Sequence, residues 1–351
     1  MAQTRKADVL AQIQKVWGDK LFYQAERKTF FNKFEGGPGS DAPLVRMDDL
    51  EKNVGDTVFI DIALALTGAG QTGDTTLLEG NEEAVKFRQI SVTVDSLQHA
   101  VRWSKLGKVL INKDMRTVAL NLLRKHLAAR LDDQIFNEAS GGAGATIAEA
   151  NLPTTMKWFA GAATSIVTVT SAMTPTLNDI SEIKAYAVTN NLIEPLGMGE
   201  SDEGEELYML VLHPYSALGL KKDTNFQQAK RDALERGKEN ALFRGTIGVW
   251  DNVLLYQSAR VRTANDGATG ATVARNLFLG AQGIARAFAY FPDWTEQYFS
   301  YGQEQGVAYW GVVGKRLVVF DLNAAETTGT TADDTAIGAM ILYAAAPAPV
   351  A

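Results

Sequence analysis

The chain has 351 residues, 46% of them hydrophobic and 21% charged, with a formal net charge of −7 and a pI near 5.2. This balance supports a real core and about two domains or one elaborated one, and its acidity argues against a protein whose main task is gripping nucleic acid. No cysteine is present, which excludes a disulfide framework, a thiolate metal site and a cysteine nucleophile; no signal-peptide core and no apolar run of about 18 residues is visible, so no membrane contact is expected.

The N-terminal segment, from about Ala7 to Phe34, reads as an amphipathic helix followed by an arm. Val9, Leu10, Ile13, Val16, Trp17 and Leu21 recur near helical spacing. Seven Lys/Arg against three acidic residues give residues 1–34 a surplus of four positive charges. "GGPGSDAP", Gly36 to Pro43, then breaks the chain. A segment tethered through such a breaker packs either on its own core or on a neighbour.

Two strands with clean alternation follow. In "TVFIDIALAL", Val58, Ile60, Ile62, Leu64 and Leu66 share one face, and Thr57, Phe59, Asp61, Ala63 and Ala65 the other. In "QISVTVDSL", Ile90, Val92 and Val94 oppose Gln89, Ser91, Thr93 and Asp95. Period-two patterning with one polar face is that of an antiparallel ribbon with one wet side. An isolated ribbon is marginal in water, so its aliphatic face predicts a cover, for which another subunit is the natural source.

Between these strands lies Gly68-Ala69-Gly70-Gln71-Thr72-Gly73, a match to the dinucleotide-binding pattern G-x-G-x-x-G. That pattern works only where a strand leads into a helix whose N-terminus faces the pyrophosphate. Here "DTTLLEGNEEAVKF" carries Gly80 at its centre and no apolar stripe. Asp74, Glu79, Glu82 and Glu83 face only Lys86, so a pyrophosphate would meet net negative charge. With 31 glycines in the chain, the three specified ones are expected roughly 0.24 times by chance. The mechanical reading, a flexible tip on the ribbon, is preferred, and no cofactor is expected.

From Asn112 to Ser140 runs the strongest helix, a rod of about 40 Å. Met115, Val118, Leu122, Leu123, Leu127, Leu131 and Ile135 are expected on one face. Asn112 or Asp114 can cap its start, and Gly141-Gly142 stop it. A mixed α/β region follows, with helices near Thr176 to Thr189, Pro214 to Leu220 and Asn225 to Gly237. Strands are expected near Leu207 to Leu212, Thr246 to Trp250, Val253 to Gln257, Asn276 to Gly280 and Gly283 to Ala289. "GVAYWGVVGKRLVVFDL" and "AIGAMILYAAA" read as further strands, and Ala344 to Ala351 as a frayed end. Element order is too irregular for a βαβ repeat; the class is α+β.

Chemistry is sparse. His99, His126 and His213 show no metal spacing, and no G-x-S-x-G elbow exists. "ESDEGEE", holding Glu205 and Glu206, lacks the pattern of a calcium loop and reads as solvated. Lys221 to Arg244 carries seven basic and four acidic residues, so the two patches are candidates to meet across a subunit boundary. Trp250 is assigned to core or turn packing ahead of an interface.

Four stretches together carry a family resemblance: "GDTVFIDIALALTGAG", "LLEGNEEAV", "DMRTVALNLLRKHLAARLDDQIFNEASG" and "LHPYSALGLKKDTNFQQAKRDALERGKENALFRGTIGVWDNVLLYQSARV". From about Lys15 to Leu322 the chain resembles the major capsid proteins of tailed phages, with the Hong Kong 97-type fold. The resemblance implies an N-terminal arm at 1–45 and an extended β-hairpin loop with flanking strands at 46–110. It implies a peripheral domain at 111–154 and 286–351 with a long spine helix, and an axial α/β domain at 155–285. It further implies a non-enzymatic subunit that joins itself in hexamers and pentamers of an icosahedral shell around double-stranded DNA. A portal and possible scaffold or cement proteins would be its other partners. It would reside in the virion capsid after assembly in the host bacterial cytoplasm.

Candidate inter-subunit contacts are Trp17 on the arm, Ile60, Ile62 and Leu64 on the ribbon, and Gln71, Asp74, Glu79, Glu82 and Lys86 at its tip. Glu205 and Glu206 complete the set. Some members of the fold cross-link through a loop lysine, but no motif assigns that chemistry to Lys86. Two alternatives stand: an encapsulin-like nanocompartment shell, and a nucleotide-dependent oxidoreductase using Gly68 to Gly73.

Overall fold

The computed structural model describes residues 29–48, 55–63, 82, 84–85, 87–110, 114–142, 152–197, 206–234, 247–320, 335–336 and 338–348. In chain order the elements are β1 (Leu44–Met47), β2 (Thr57–Ala63), β3 (Phe87–Ser104), α1 (Lys105–Leu110), α2 (Met115–Ala139), β4 (Lys157–Phe159), α3 (Leu177–Asn190) and β5 (Tyr208–Leu212). There follow α4 (Pro214–Lys222), α5 (Thr224–Leu234), β6 (Gly248–Trp250), β7 (Val253–Gln257), β8 (Val273–Leu279), β9 (Ile284–Phe299), β10 (Glu304–Leu317) and β11 (Ala339–Ala345). The helix expected from Ala7 and the glycine motif at Gly68 to Gly73 lie outside the described residues.

The first sheet runs β1, β9, β10, β3, β2, with the two-residue Glu35–Gly36 outside β1. Its centre is the long hairpin β9–β10, antiparallel from Ile284↔Leu317 to Phe299↔Glu304. β3 is one 18-residue strand that changes partner along its length. From Val94 to Ser104 it pairs with β10, and from Phe87 to Thr93 with β2.

The second sheet runs β4, β11, β8, β5, β7, β6. β5, β8 and β11 are buried at every residue; β5 and β11 are continuous apolar runs covered on both faces, while β8 also carries the buried Arg275 and Asn276. Leu177, Ile180 and Ile183 of α3 and Ala217 and Leu220 of α4 cover one face through Leu210, Phe278 and Leu342. Across the other face Val211, Leu277 and Tyr343 meet Phe31, Phe34, Ile135 and Phe136. The closing strand β11 therefore sits inside this sheet rather than returning to the first. Ala344, Ala345 and Ala346 are fully buried, so the expected frayed tail begins later than Ala344. Ala344 and Ala345 belong to β11, inside the sheet, although their composition reads as a low-complexity end.

Helix α2 is the beam between the two sheets. Asp114 caps it, accepting from the Arg116 amide at 3.2 Å, and Gly141 and Gly142 end it at φ +95° and +116°, where a side chain would be strained. Leu120, Leu123, Leu127 and Leu131 pack on Leu97, Trp103, Trp294, Val307 and Tyr309 of the first sheet. Its last turns, with Ile135 and Phe136, enter the core under the second sheet. Val118 and Leu122, expected on the buried face, are exposed, while Leu120 and Phe136 are buried. At about 100° per residue, Leu122 lies some 140° round from Leu127, on the far side of the cylinder.

Candidate assembly surfaces

The N-terminal arm is pinned where it reaches the core. Asp132 of α2 is buried and accepts from the Phe30 amide at 2.8 and 3.0 Å, with Phe31 completely covered beside Phe136. Burial pushes the Asp132 carboxyl up, and the two backbone donors oppose that shift. Glu35, the next anchor, forms a buried ion pair with Arg286 of β9. Trp17 lies outside the described residues.

The ribbon β2–β3 overturns one expectation. Its alternation holds, with Val58, Ile90 and Val92 buried while Phe59, Ser91 and Thr93 are exposed. Over the described residues the aliphatic face, however, is roofed by its own chain: Val45, Met47, Ala285, Ala287, Val318 and Phe320 cover Val58, Ile90 and Val92. Ile60 packs half-buried against the same cluster. The reason is topological. β3 runs unbroken from the sheet centre into the ribbon, so the ribbon's inner face extends a floor the chain already possesses. The open face is the other one. Phe59 is 58% exposed and Phe87 68%, and the register Phe59↔Ser91, Asp61↔Gln89, Ala63↔Phe87 sets both on one side. An aromatic residue on the polar side of an alternating strand was the available signal.

Of the other candidate contacts, Glu82 and Glu206 are exposed. Ile62 sits opposite Arg88 in the ladder, its side chain outside the described residues. Leu64, Gln71, Asp74, Glu79, Lys86 and Glu205 also lie outside them. Lys221 and Lys222 are exposed at the end of α4. Trp250 is half-buried and donates to Ser181 Oγ at 3.1 Å, the packing role expected of it.

Two histidines that sequence spacing kept apart are brought together. His99 of β3 and His126 of α2 stack at 4.1 Å between ring centroids and 17° between planes. His126 Nδ1 lies 2.8 Å from the Tyr309 hydroxyl, whose pKa burial pushes up to about 12, so the hydroxyl keeps its proton and donates or accepts according to the imidazole tautomer. Burial first, then the neighbouring His99 and Arg130, hold the His126 pKa below 6.5, with Asp133 opposing. Nothing local relates positions 99 and 126; only the docking of α2 on β3 does. Among the described residues no group of three or more His, Asp or Glu could hold a metal. A cleft of about 450 Å³ is lined by Asn32, Glu35, Arg46 and Asp48, and its charges are engaged in the pairs Arg46–Asp48 and Glu35–Arg286.

The depressed His126 pKa gives a signed expectation. The unfolded chain binds the proton more readily, so this group's contribution to stability is intact above pH 6.5 and drains away as pH falls through its folded pKa. Thermal unfolding at pH 7.5 and 5.5 should show a smaller acid loss for His126→Gln than for the wild type; an equal loss removes the ring from the account.

The profile of the phage capsid protein family matches residues 7–348 of this chain. The chain belongs to that family. It is a phage major capsid protein, a subunit of the head shell. It is 26% identical over 336 residues to the major capsid protein of Pseudomonas phage KPP25, with 85% of this chain and 87% of that protein covered. The fold is of the Hong Kong 97 type. The capsid of Ralstonia phage GP4 superposes with a TM-score of 0.72 at 23% identity, covering 92% of each chain. The cyanophage Pam1 capsid superposes at 0.74 and 20% identity, covering 91% of this capsid protein and 93% of that chain.

Proposed function

We propose that this capsid protein closes into an icosahedral shell of hexamers and pentamers around double-stranded DNA, in the cytoplasm of a bacterial host, as a structural subunit without catalytic activity. A portal occupies one vertex, and scaffold or cement proteins are its further partners. In this reading the sheet carrying α2 forms the peripheral domain, the sheet β4 to β6 the axial domain, and residues before Gly36 the arm. The observation that carries the reading is the ribbon: its inner face is covered at home while Phe59 and Phe87 stand in water. Apolar surface left open on an edge ribbon is a site for another chain. The shell need not rest on one strong contact, because a subunit held on several sides gains avidity from closure.

Deleting Gly70 to Lys86 should leave a soluble subunit that forms no closed particles by electron microscopy. Normal shells from this variant would refute the role of the loop. Particles recovered from infected cells should hold DNA; an enzyme cargo in its place would favour the nanocompartment alternative.

A further inference from the structure

The tip of the β9–β10 hairpin departs from a local preference that the β6–β7 turn follows, as do Leu192, Thr269 and Gln282 at φ +50°, +52° and +53°. Tight hairpin turns need residues at positive φ, a conformation that Asn, Asp and Gly tolerate and bulky side chains resist. The β6–β7 turn follows this preference, with Asp251 at +49° and Asn252 at +59°. The β9–β10 turn places Ser300 at +50° and Tyr301 at +52°, followed by Gly302 at +81°. Tyr301 is fully exposed, so its side chain packs on nothing among the described residues, and only the turn's own bond, Gln303 amide to Ser300 carbonyl at 3.0 Å, closes over it. Tyr298, at the end of β9, is also exposed, and Gln305 reaches its hydroxyl at 3.4 Å.

The tip is nevertheless held firmly. Strand pairing continues to the last pair, Phe299↔Glu304. Arg102 of β3 lies over the Phe299 ring at 4.2 Å and forms an ion pair with Glu304. The Lys105 amide donates to the Gln303 carbonyl at 2.7 Å. A strained residue on a braced, projecting support is the arrangement expected where a side chain is presented to something outside.

We propose that the Ser300–Gly302 tip is a contact between copies of this chain, with Tyr301 as its anchor in a neighbouring subunit. The inference rests on the shell-forming reading above. A second copy is the fitting occupant because a capsid subunit meets copies of itself on several sides, and a rigid amphipathic ring is the side chain such contacts favour at their centre. The backbone strain is then balanced by a contact that only the assembled protein makes.

The test uses effects of opposite sign. Tyr301→Gly relieves the positive φ and should keep or raise the melting temperature of the full-length subunit. It should also raise the concentration needed for closed particles by about tenfold or more, as loss of an interface anchor does. Tyr301→Phe retains the ring and should assemble as the wild type does. The assay is light scattering and electron microscopy on the purified protein alone, so no other protein can supply the effect. If Tyr301→Gly assembles at the wild-type concentration, the proposal is overturned. If Tyr301→Gly fails to fold, Tyr301→Asn, which tolerates the same φ, decides in the same way. Wild-type protein that forms no particles, either alone or co-produced with the other head proteins of its phage, would instead sink the shell-forming reading itself.

Discussion

Replacing Glu35 with alanine lowers the stability of the folded subunit by about 3–5 kcal/mol, the cost of stranding one member of a buried ion pair. Its partner Arg286 is 3% exposed and Glu35 is 7% exposed in the side chain. Arg286 also lies over the Phe288 ring, with Cζ 4.9 Å from the centroid, so its guanidinium has no easy route to water. Glu35 Oε1 and Arg286 Nε have no hydrogen-bond partner among the described residues, so beyond the Phe288 ring and the more distant Asp132 carboxylate the guanidinium relies on the contact that the mutation deletes. Removing both charges is different. Glu35→Leu with Arg286→Met exchanges the pair for apolar volume, and such exchanges are commonly neutral or stabilising. Denaturant midpoints of the single and double variants check this; a single variant within about 0.5 kcal/mol of wild type would show that Arg286 finds water or another partner. The pair matters for assembly because it ties the end of the arm to β9. Loosening it should free the arm before it unfolds the sheets.

Phe59→Ser combined with Phe87→Ser abolishes closed particles while leaving the subunit folded. Both rings are mostly in water, so the free subunit loses little by their removal, and its melting temperature should stay close to that of wild type. Burying two phenylalanines against a neighbour would contribute roughly 1.5–3 kcal/mol each. A closed shell repeats that loss at every subunit, so the effect on particle yield is far larger than the effect on any one contact. The contrasting variant is Val92→Ala on the covered face. It removes a fully buried side chain and should lower the melting temperature through the subunit's own core. The reverse pattern, with the phenylalanine variant unstable and Val92→Ala defective only in assembly, would restore the aliphatic face as the contact with the neighbour.

The glycine motif shows how far a local pattern reaches. Three glycines at the right spacing are a weak signal, and the acidic residues after them already disfavoured a phosphate. The family assignment makes a nucleotide unnecessary to account for this region. Elsewhere local chemistry was sufficient. Asp114 as cap and Gly141-Gly142 as stop were readable because a helix end must satisfy its own free amides and carbonyls from nearby residues. The structure adds a cap of the same local kind that was not singled out from the sequence: the side chains of Thr176 and Asp179 close a reciprocal cap on α3.

What the sequence determined by itself were properties set by neighbours in the chain: the period-two faces of the ribbon, the length and caps of α2, and the order of strands and helices between β5 and β9. It also carried the family, because long quoted stretches hold the resemblance. What only the tertiary structure decided were the relations between distant residues. Which face of the ribbon is roofed depends on β3 continuing into the sheet centre beside β10. Whether β11 joins the first or second sheet depends on its distant pairing with β8, from Leu279↔Ala339 to Val273↔Ala345. The meeting of His99 with His126, and of Glu35 with Arg286 across 251 positions, follows from packing alone. Periodicity records which side of an element is apolar; it holds no record of what that side will touch, because contact is fixed only when the whole chain closes on itself.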